Sequence, residues 1–190
     1  MDILTTFTPH DMGIGARGQL PTHLALGMLV LTAALSWAPF SSAQSLSPNH
    51  TGSARAEAVD FEPFAAFPPG AELAKVVGEP TGPGPYVVRV KVPDDVKLMP
   101  HIHPEDRVYT VISGVFYIGF GRTFDAAKLT AYAPGSVVVL PHDTPHFHQA
   151  LSGEYITQVT GTGPLGIEYI DKRDDPRNVA ARPAMSAPGP

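Results

Sequence analysis

The chain has no cysteine among its 190 residues. Disulfides and thiolate metal sites are therefore excluded, and any transition metal has to be held by imidazole, carboxylate or water, a donor set suited to Fe, Mn, Ni, Cu or Zn. Charge is sparse as well: 16 % of the residues are charged, the formal net charge is -5, and there is no run of Lys or Arg. Such a chain is poorly equipped to neutralise phosphates, so nucleic acid is excluded as the expected partner and a small molecule takes its place. Long apolar stretches are missing except for Leu24 to Trp37, LALGMLVLTAALSW. That run is short for a membrane span, and the small residues Ser41 and Ala43 follow it closely. Residues 1–43 are accordingly read as a secretory signal peptide cleaved near Ala43/Gln44, giving a secreted or periplasmic protein with no membrane contact after cleavage. Arg17 is the only basic residue ahead of the run, beside acidic Asp2 and Asp11. A translation start at Met12 would ease that imbalance, and a retained anchor is the alternative.

Helical periodicity is also absent after Trp37, so what is present is a series of short strands. Residues 44–58 are Ser, Pro, Gly, Ala and Asn in the main and read as a flexible lead-in. Leu73 to Val77 reads as a short edge strand, and Tyr86 to Val92 alternates in the manner of a half-buried one. Strands then follow at Val96–His103, Arg107–Ser113, Val115–Phe120, Leu129–Ala133, Ser136–Leu140, Pro145–Ala150, Tyr155–Thr160 and Leu165–Ile170. Gly114, Gly121, Pro134-Gly135, Ser152-Gly153 and Gly161 to Pro164 supply the turns. Evenly spaced short strands predict an all-β sandwich or barrel, here over residues 59–172, with one helical turn within Arg122 to Lys128. Residues 173–190 read as a disordered tail.

The chemistry concentrates between His101 and His148. His101 and His103 are two apart, so on a strand they project from one face and make half a metal site; His146 can supply a third nitrogen from across a barrel. His148 follows His146 by two and should face the same cavity, as a further ligand, a base or a group that orients another imidazole. Tyr109 shares the inner face of its strand with position 107 and can line the pocket or donate a phenolic hydrogen bond. Arg107 either receives a substrate anion or pairs with a nearby acid. Glu105 and Asp106 are expected in a solvated turn paired with Arg107, with an inward bend of either to coordinate as the alternative, His142 at the rim, and Phe147 pointing outward.

Two motifs tie these residues to a known pattern. G-x5-H-x-H-x3-E-x6-G aligns with His101, His103, position 107 and Gly114, and G-x5-P-x-G-x2-H-x3-N aligns with Gly135, Pro141, position 143, His146 and position 150. The chain thereby resembles the cupin superfamily, single-domain bacterial RmlC-like β-barrels, over roughly residues 85 to 162. Asp95 and Asp143 stand where the pattern has Gly, Ala150 where it has Asn, and Arg107 where it has a metal-binding Glu. A guanidinium cannot ligate a metal. The resemblance implies a double-stranded β-helix, or jelly-roll, barrel holding a divalent transition metal, Fe(II) first and Mn, Zn or Ni as alternatives. Cupin-like dioxygenases that hold iron with three histidines make His101, His103 and His146 the implied ligands, with Tyr109, His148 and Arg107 as catalytic candidates. Oxygenase-type chemistry on a small, anionic molecule is the first expectation. A lyase or isomerase, or a non-catalytic binding or sensing cupin, is the alternative, and a homodimer is implied as well.

Overall fold

The computed structural model describes residues 45–180. The expected signal peptide, residues 1–43, lies outside the described residues, as does the last part of the expected tail, residues 181–190. Eleven strands run β1 (Glu62–Pro63), β2 (Glu72–Val77), β3 (Gly84–Val92), β4 (Lys97–Ile102), β5 (Arg107–Ser113), β6 (Phe116–Phe120), β7 (Thr130–Tyr132), β8 (Val137–Leu140), β9 (His146–Gln149), β10 (Tyr155–Gly163) and β11 (Glu168–Tyr169). Among the described residues the only helical pieces are two short 3-10 turns and α1 (Pro176–Ala180). No helix there is long and apolar enough to cross a membrane.

The strands form two antiparallel sheets. One has six strands in the order β1-β2-β3-β10-β5-β8, and the other has five in the order β11-β4-β9-β6-β7. Side chains alternate across a strand, so each sheet turns one row inward. Tyr86, Val88, Val90 and Val92 of β3 are buried at every second position, and Arg107, Tyr109 and Val111 of β5 and Tyr155, Thr157 and Val159 of β10 do the same. These rows meet Leu98, Phe116, Ile118 and Tyr169 from the smaller sheet in one core. Each large apolar side chain buried there contributes on the order of 1.5–3 kcal/mol.

Strand β4 departs from simple alternation. Leu98 pairs with His148 and His101 with His146, so three steps on β4 face two on β9. The extra residue falls at Met99-Pro100, where proline has no N–H for the ladder. This bulge turns both Leu98 and His101 inward although they are an odd number apart. It is the local device that points His101 into the core.

Phe147 does point away from the barrel interior, yet it is fully buried rather than surface-exposed. The segment after β6 folds over it, with the Phe124 ring 5.0 Å from its own. Gly119 makes room for it, since any Cβ there would fall 2.4 Å from the Phe147 ring. The sequence signal was ambiguous because an outward position is exposed only where no loop covers the sheet.

The lead-in is attached at Leu46, whose N–H donates to the Val76 carbonyl and whose carbonyl accepts from Gly78. At the other end, Arg177 donates to the Asp175 carboxylate and to the Ile167 carbonyl. The first residues of the stretch read as a tail are thus tied to the barrel.

Candidate metal centre

Four buried histidines meet between the sheets. The β4–β9 register places His101 directly opposite His146, with ring centroids 4.2 Å apart. His103, just beyond β4, lies 4.9 Å from each of these rings, and His148 lies 5.0 Å from His146 and 5.5 Å from His101. The ligand nitrogens of His101, His146 and His148 all fall within 4.8 Å of one another. His103, which the sequence grouped with His101 and His146, and His148 both border the pair, and the set whose nitrogens meet within that limit contains His148. His146 and His148 lie two apart on one face of β9, with their rings tilted by 41° to one another.

Hydrogen bonds fix most of the tautomers. The Nδ1 atoms of His101, His103 and His146 lie 2.7, 2.7 and 2.9 Å from the carbonyls of Met99, Gly166 and Thr144. A carbonyl only accepts, so each Nδ1 carries the proton and each Nε2 keeps a lone pair. In His103 that lone pair accepts from the Tyr109 hydroxyl at 3.2 Å. His146 Nε2 and His148 Nε2 are buried with no protein partner. Burial drives all four imidazoles toward the neutral form, the His146 value down to about 4 and the other three well below their ordinary range.

This donor set suits a transition metal. Neutral imidazoles with inward lone pairs bind Fe, Ni, Cu or Zn, and two orphaned buried nitrogens cost about 1–3 kcal/mol each unless something binds them. No carboxylate belongs to the group.

Arg107 faces inward, as the aligned glutamate would, and is 5 % exposed. Its Nε donates to Glu105 Oε1 at 2.8 Å, and its Nη2 donates to the same oxygen and to the Gly166 carbonyl. Burial opposes its charge, but Tyr109, Tyr86 and Glu105 around it hold its pKa above the ordinary value. The guanidinium is thus committed to a buried ion pair, the second of the two roles open to it. Glu105 cancels its charge, so a cation can sit nearby without facing a bare positive neighbour.

Glu105 is also not solvated as expected. It accepts from the Tyr86 hydroxyl at 2.9 Å and from the Gly166 N–H at 3.2 Å. Gly166 links this network to the site, because its carbonyl serves both Arg107 and His103. Sequence reading missed the contribution of Gly166, Tyr86 and Tyr155 to the site, since none of them is a motif position. Asp106, the neighbouring acid, is exposed and pairs with His142, which stays at the rim as expected.

Tyr109 is buried and stacks on Phe116 at 5.6 Å. Burial pushes its phenol up, so it remains a donor toward His103. The cavity beside the rings measures about 20 Å³ and is closed by Phe67, Leu98, Tyr109, Tyr155 and Thr157. A space of that size holds one water-sized group. A groove of about 510 Å³ runs past Asp60, Phe64 and Lys75, and one of about 660 Å³ passes Glu105, Arg107 and His142, neither lined by the four buried histidines.

No family model and no curated protein sequence matches the chain. Solved structures do match. The polyketide cyclase RemF from Streptomyces resistomycificus superposes with a TM-score of 0.58 at 14 % identity, over 70 % of this chain and 95 % of its own. An RmlC-like cupin protein from Ralstonia eutropha superposes with a TM-score of 0.51 at 21 % identity, over 66 % of this chain and 76 % of its own. The architecture is the cupin fold.

Proposed function

We propose that this cupin-fold barrel holds one divalent transition metal on its buried histidines and acts on a small, anionic organic molecule, with oxygenase-type chemistry as the first reading. The observation that carries it is the pair of buried, partnerless nitrogens His146 Nε2 and His148 Nε2 within a group of neutral imidazoles. His101 and His146 are ligands in this reading, with the third place open to His103 or His148. When bound, the metal supplies a Lewis acid and, as Fe(II), a redox centre.

The chain's own residues set the conditions. All protein donors are neutral and the Arg107 charge is cancelled by Glu105, so the bound cation's charge is left for an anionic ligand to balance. The Met99 and Thr144 carbonyls hold His101 and His146 in the metal-binding tautomer. Phe67, Leu98 and Tyr155 line the cavity with largely apolar surface. Tyr109 presents a neutral phenol, hydrogen-bonded to a neutral imidazole, where a proton could be passed to or from a bound molecule. That same pair favours the second reading, a metal-assisted lyase or isomerase, which needs proton transfer and no oxidant.

Metal analysis of protein purified without chelators tests the proposal. Near-stoichiometric iron or manganese that is lost in His146→Ala, with oxygen uptake on presenting small carboxylates, supports the oxygenase. Zinc or nickel without oxygen uptake supports the lyase or isomerase, or a sensing cupin that turns nothing over. Wild-type protein that takes up no metal on reconstitution overturns the proposal.

Export and pairing belong to the same reading. A mature N-terminus near Gln44 in the periplasm or medium would support export. Val108, Val137 and Val139 are exposed on the outer face at the β5–β8 edge, where a second copy could cover them. Sedimentation at micromolar concentration checks the dimer, and a monomer throughout rejects it.

A further inference from the structure

We infer that His148 is a metal ligand, completing a three-imidazole set with His101 and His146 in a barrel whose position 107 cannot ligate. The inference rests on the metal-binding reading above and adds which imidazoles form the first set.

Position 107 is excluded by its chemistry and by its contacts, since an arginine offers no lone pair and this one is committed to Glu105 and Gly166. A replacement has to come from a side chain that already faces the cavity. His148 does so because it sits two residues along β9 from His146, on the same face, and is 4 % exposed. Its ring is walled by Phe116, whose centroid is 4.8 Å away at 79°, and by Tyr109 at 6.0 Å and 86°. Its one polar contact is Nδ1 to the Tyr155 hydroxyl at 3.5 Å.

Polar accounting separates His148 from His103. Both ring nitrogens of His103 are satisfied, Nδ1 by the Gly166 carbonyl and Nε2 by the Tyr109 hydroxyl. His148 has a buried Nε2 with nothing to bind, as does His146. Without a ligating role, a leucine or phenylalanine would fill this aromatic slot without stranding a nitrogen. Ligation through Nε2 leaves the proton on Nδ1, where it can be donated to Tyr155 Oη. Nitrogens bound at about 2.1 Å to one tetrahedral metal are about 3.4 Å apart, which the present spread of up to 4.8 Å reaches by rotation of the rings. His103 then stands beside the set, held off by Tyr109.

The test is Cu(II) binding to the full chain, stripped of metal, read by calorimetry and by the nitrogen hyperfine pattern in electron paramagnetic resonance. His148→Leu should weaken Cu(II) binding at least 10-fold and remove one nitrogen from the pattern. His148→Gly should regain that nitrogen on addition of free imidazole, which a packing role would not produce. Wild-type affinity and nitrogen count in His148→Leu would overturn the inference while leaving the metal site standing. Wild-type protein that binds no Cu(II), or binds it unchanged in His146→Ala, would overturn both.

Discussion

Strands β8 and β9 reverse the usual link between composition and burial. β8 is Val-Val-Val-Leu, yet Val137 and Val139 are 55 % and 68 % exposed. β9 is His-Phe-His-Gln, and all four residues are buried. Place in the sheet decides the outcome. β8 is an edge strand with one covered face, whereas β9 lies between β4 and β6 with the larger sheet on one side and the Phe124 segment on the other. A polar strand kept in a fully covered position costs stability, and the return on that cost is a ring of lone pairs facing one point.

The comparison breaks if the apolar strand matters more to folding than the polar one. Phe147→Ala, which empties a fully packed aromatic position, should cost about 3–5 kcal/mol. Val139→Ala, at an exposed edge, should stay within roughly 0.5 kcal/mol in the isolated barrel. Urea unfolding of both variants gives the two numbers, and equal costs would mean that β9 is not the structural centre described here.

Next in size is the ion pair under the site. Arg107 and Glu105 are both nearly excluded from solvent, so Arg107→Met strands a buried carboxylate and should cost about 3 kcal/mol or more. Adding Glu105→Gln should recover much of that loss, because the damage comes from the unpaired charge. An Arg107→Met protein as stable as wild type would show that Glu105 turns out to water and that the Gly166 bridge to His103 is dispensable.

Smaller in size and opposite in sign is the effect at His148. In metal-free protein, His148→Leu removes a stranded nitrogen and should hold or raise stability by up to about 1–2 kcal/mol. With metal added the balance should shift toward wild type by about 1.4 kcal/mol for each 10-fold of lost affinity, since a ligand in excess of its dissociation constant stabilises the native state. Thermal melts with and without Co(II) measure both effects. A loss of stability without metal would assign His148 to packing and weaken the contrast between the strands.

Much of this was legible in the sequence. The strand over Arg107–Ser113 matches β5 residue for residue, and the expected edges elsewhere differ by a few residues at most from the observed strands. The two Asp-for-Gly departures at 95 and 143 also acquire a reason. Both residues have positive φ, 62° and 56°, the left-handed region that glycine enters freely and aspartate tolerates. The gathering of His101, His103, His146 and His148 in one buried cluster was legible from the i, i+2 spacing, but strand spacing gives direction and not ring tilt, so it does not choose between His103 and His148 as the third partner. The pairing of Arg107 with an acid of the adjacent loop was legible, and the burial of that pair was not. Glu105 is only two residues away and looks like a turn residue, and its burial depends on Tyr86 and Gly166, which nothing nearby in sequence announces.

The smallest effect lies in the loop that joins the two strands compared. His142 lies two residues past the end of β8, and its Nδ1 lies 2.8 Å from Asp106 Oδ1, which also accepts from the His142 N–H at 2.7 Å. The Asp106 bond raises the imidazole pKa above its ordinary 6.5, with Asp143 acting weakly in the same direction, and the His142 bonds lower the Asp106 carboxyl below its ordinary 3.8. His142, with a raised folded value, contributes fully below about pH 6.5 and loses its contribution as pH rises through that folded value. Asp106, with a lowered one, contributes above about pH 3.8 and loses its contribution as pH falls through it. The pair therefore supports the loop between those limits, and because both groups are exposed the effect on global stability is small. A proton resonance titration of the His142 ring should give a midpoint above 6.5 that falls in Asp106→Asn and stops short of full reversion because Asp143 remains. A midpoint that ignores the substitution would detach this loop from Asp106 and leave β8 and β9 joined by backbone alone.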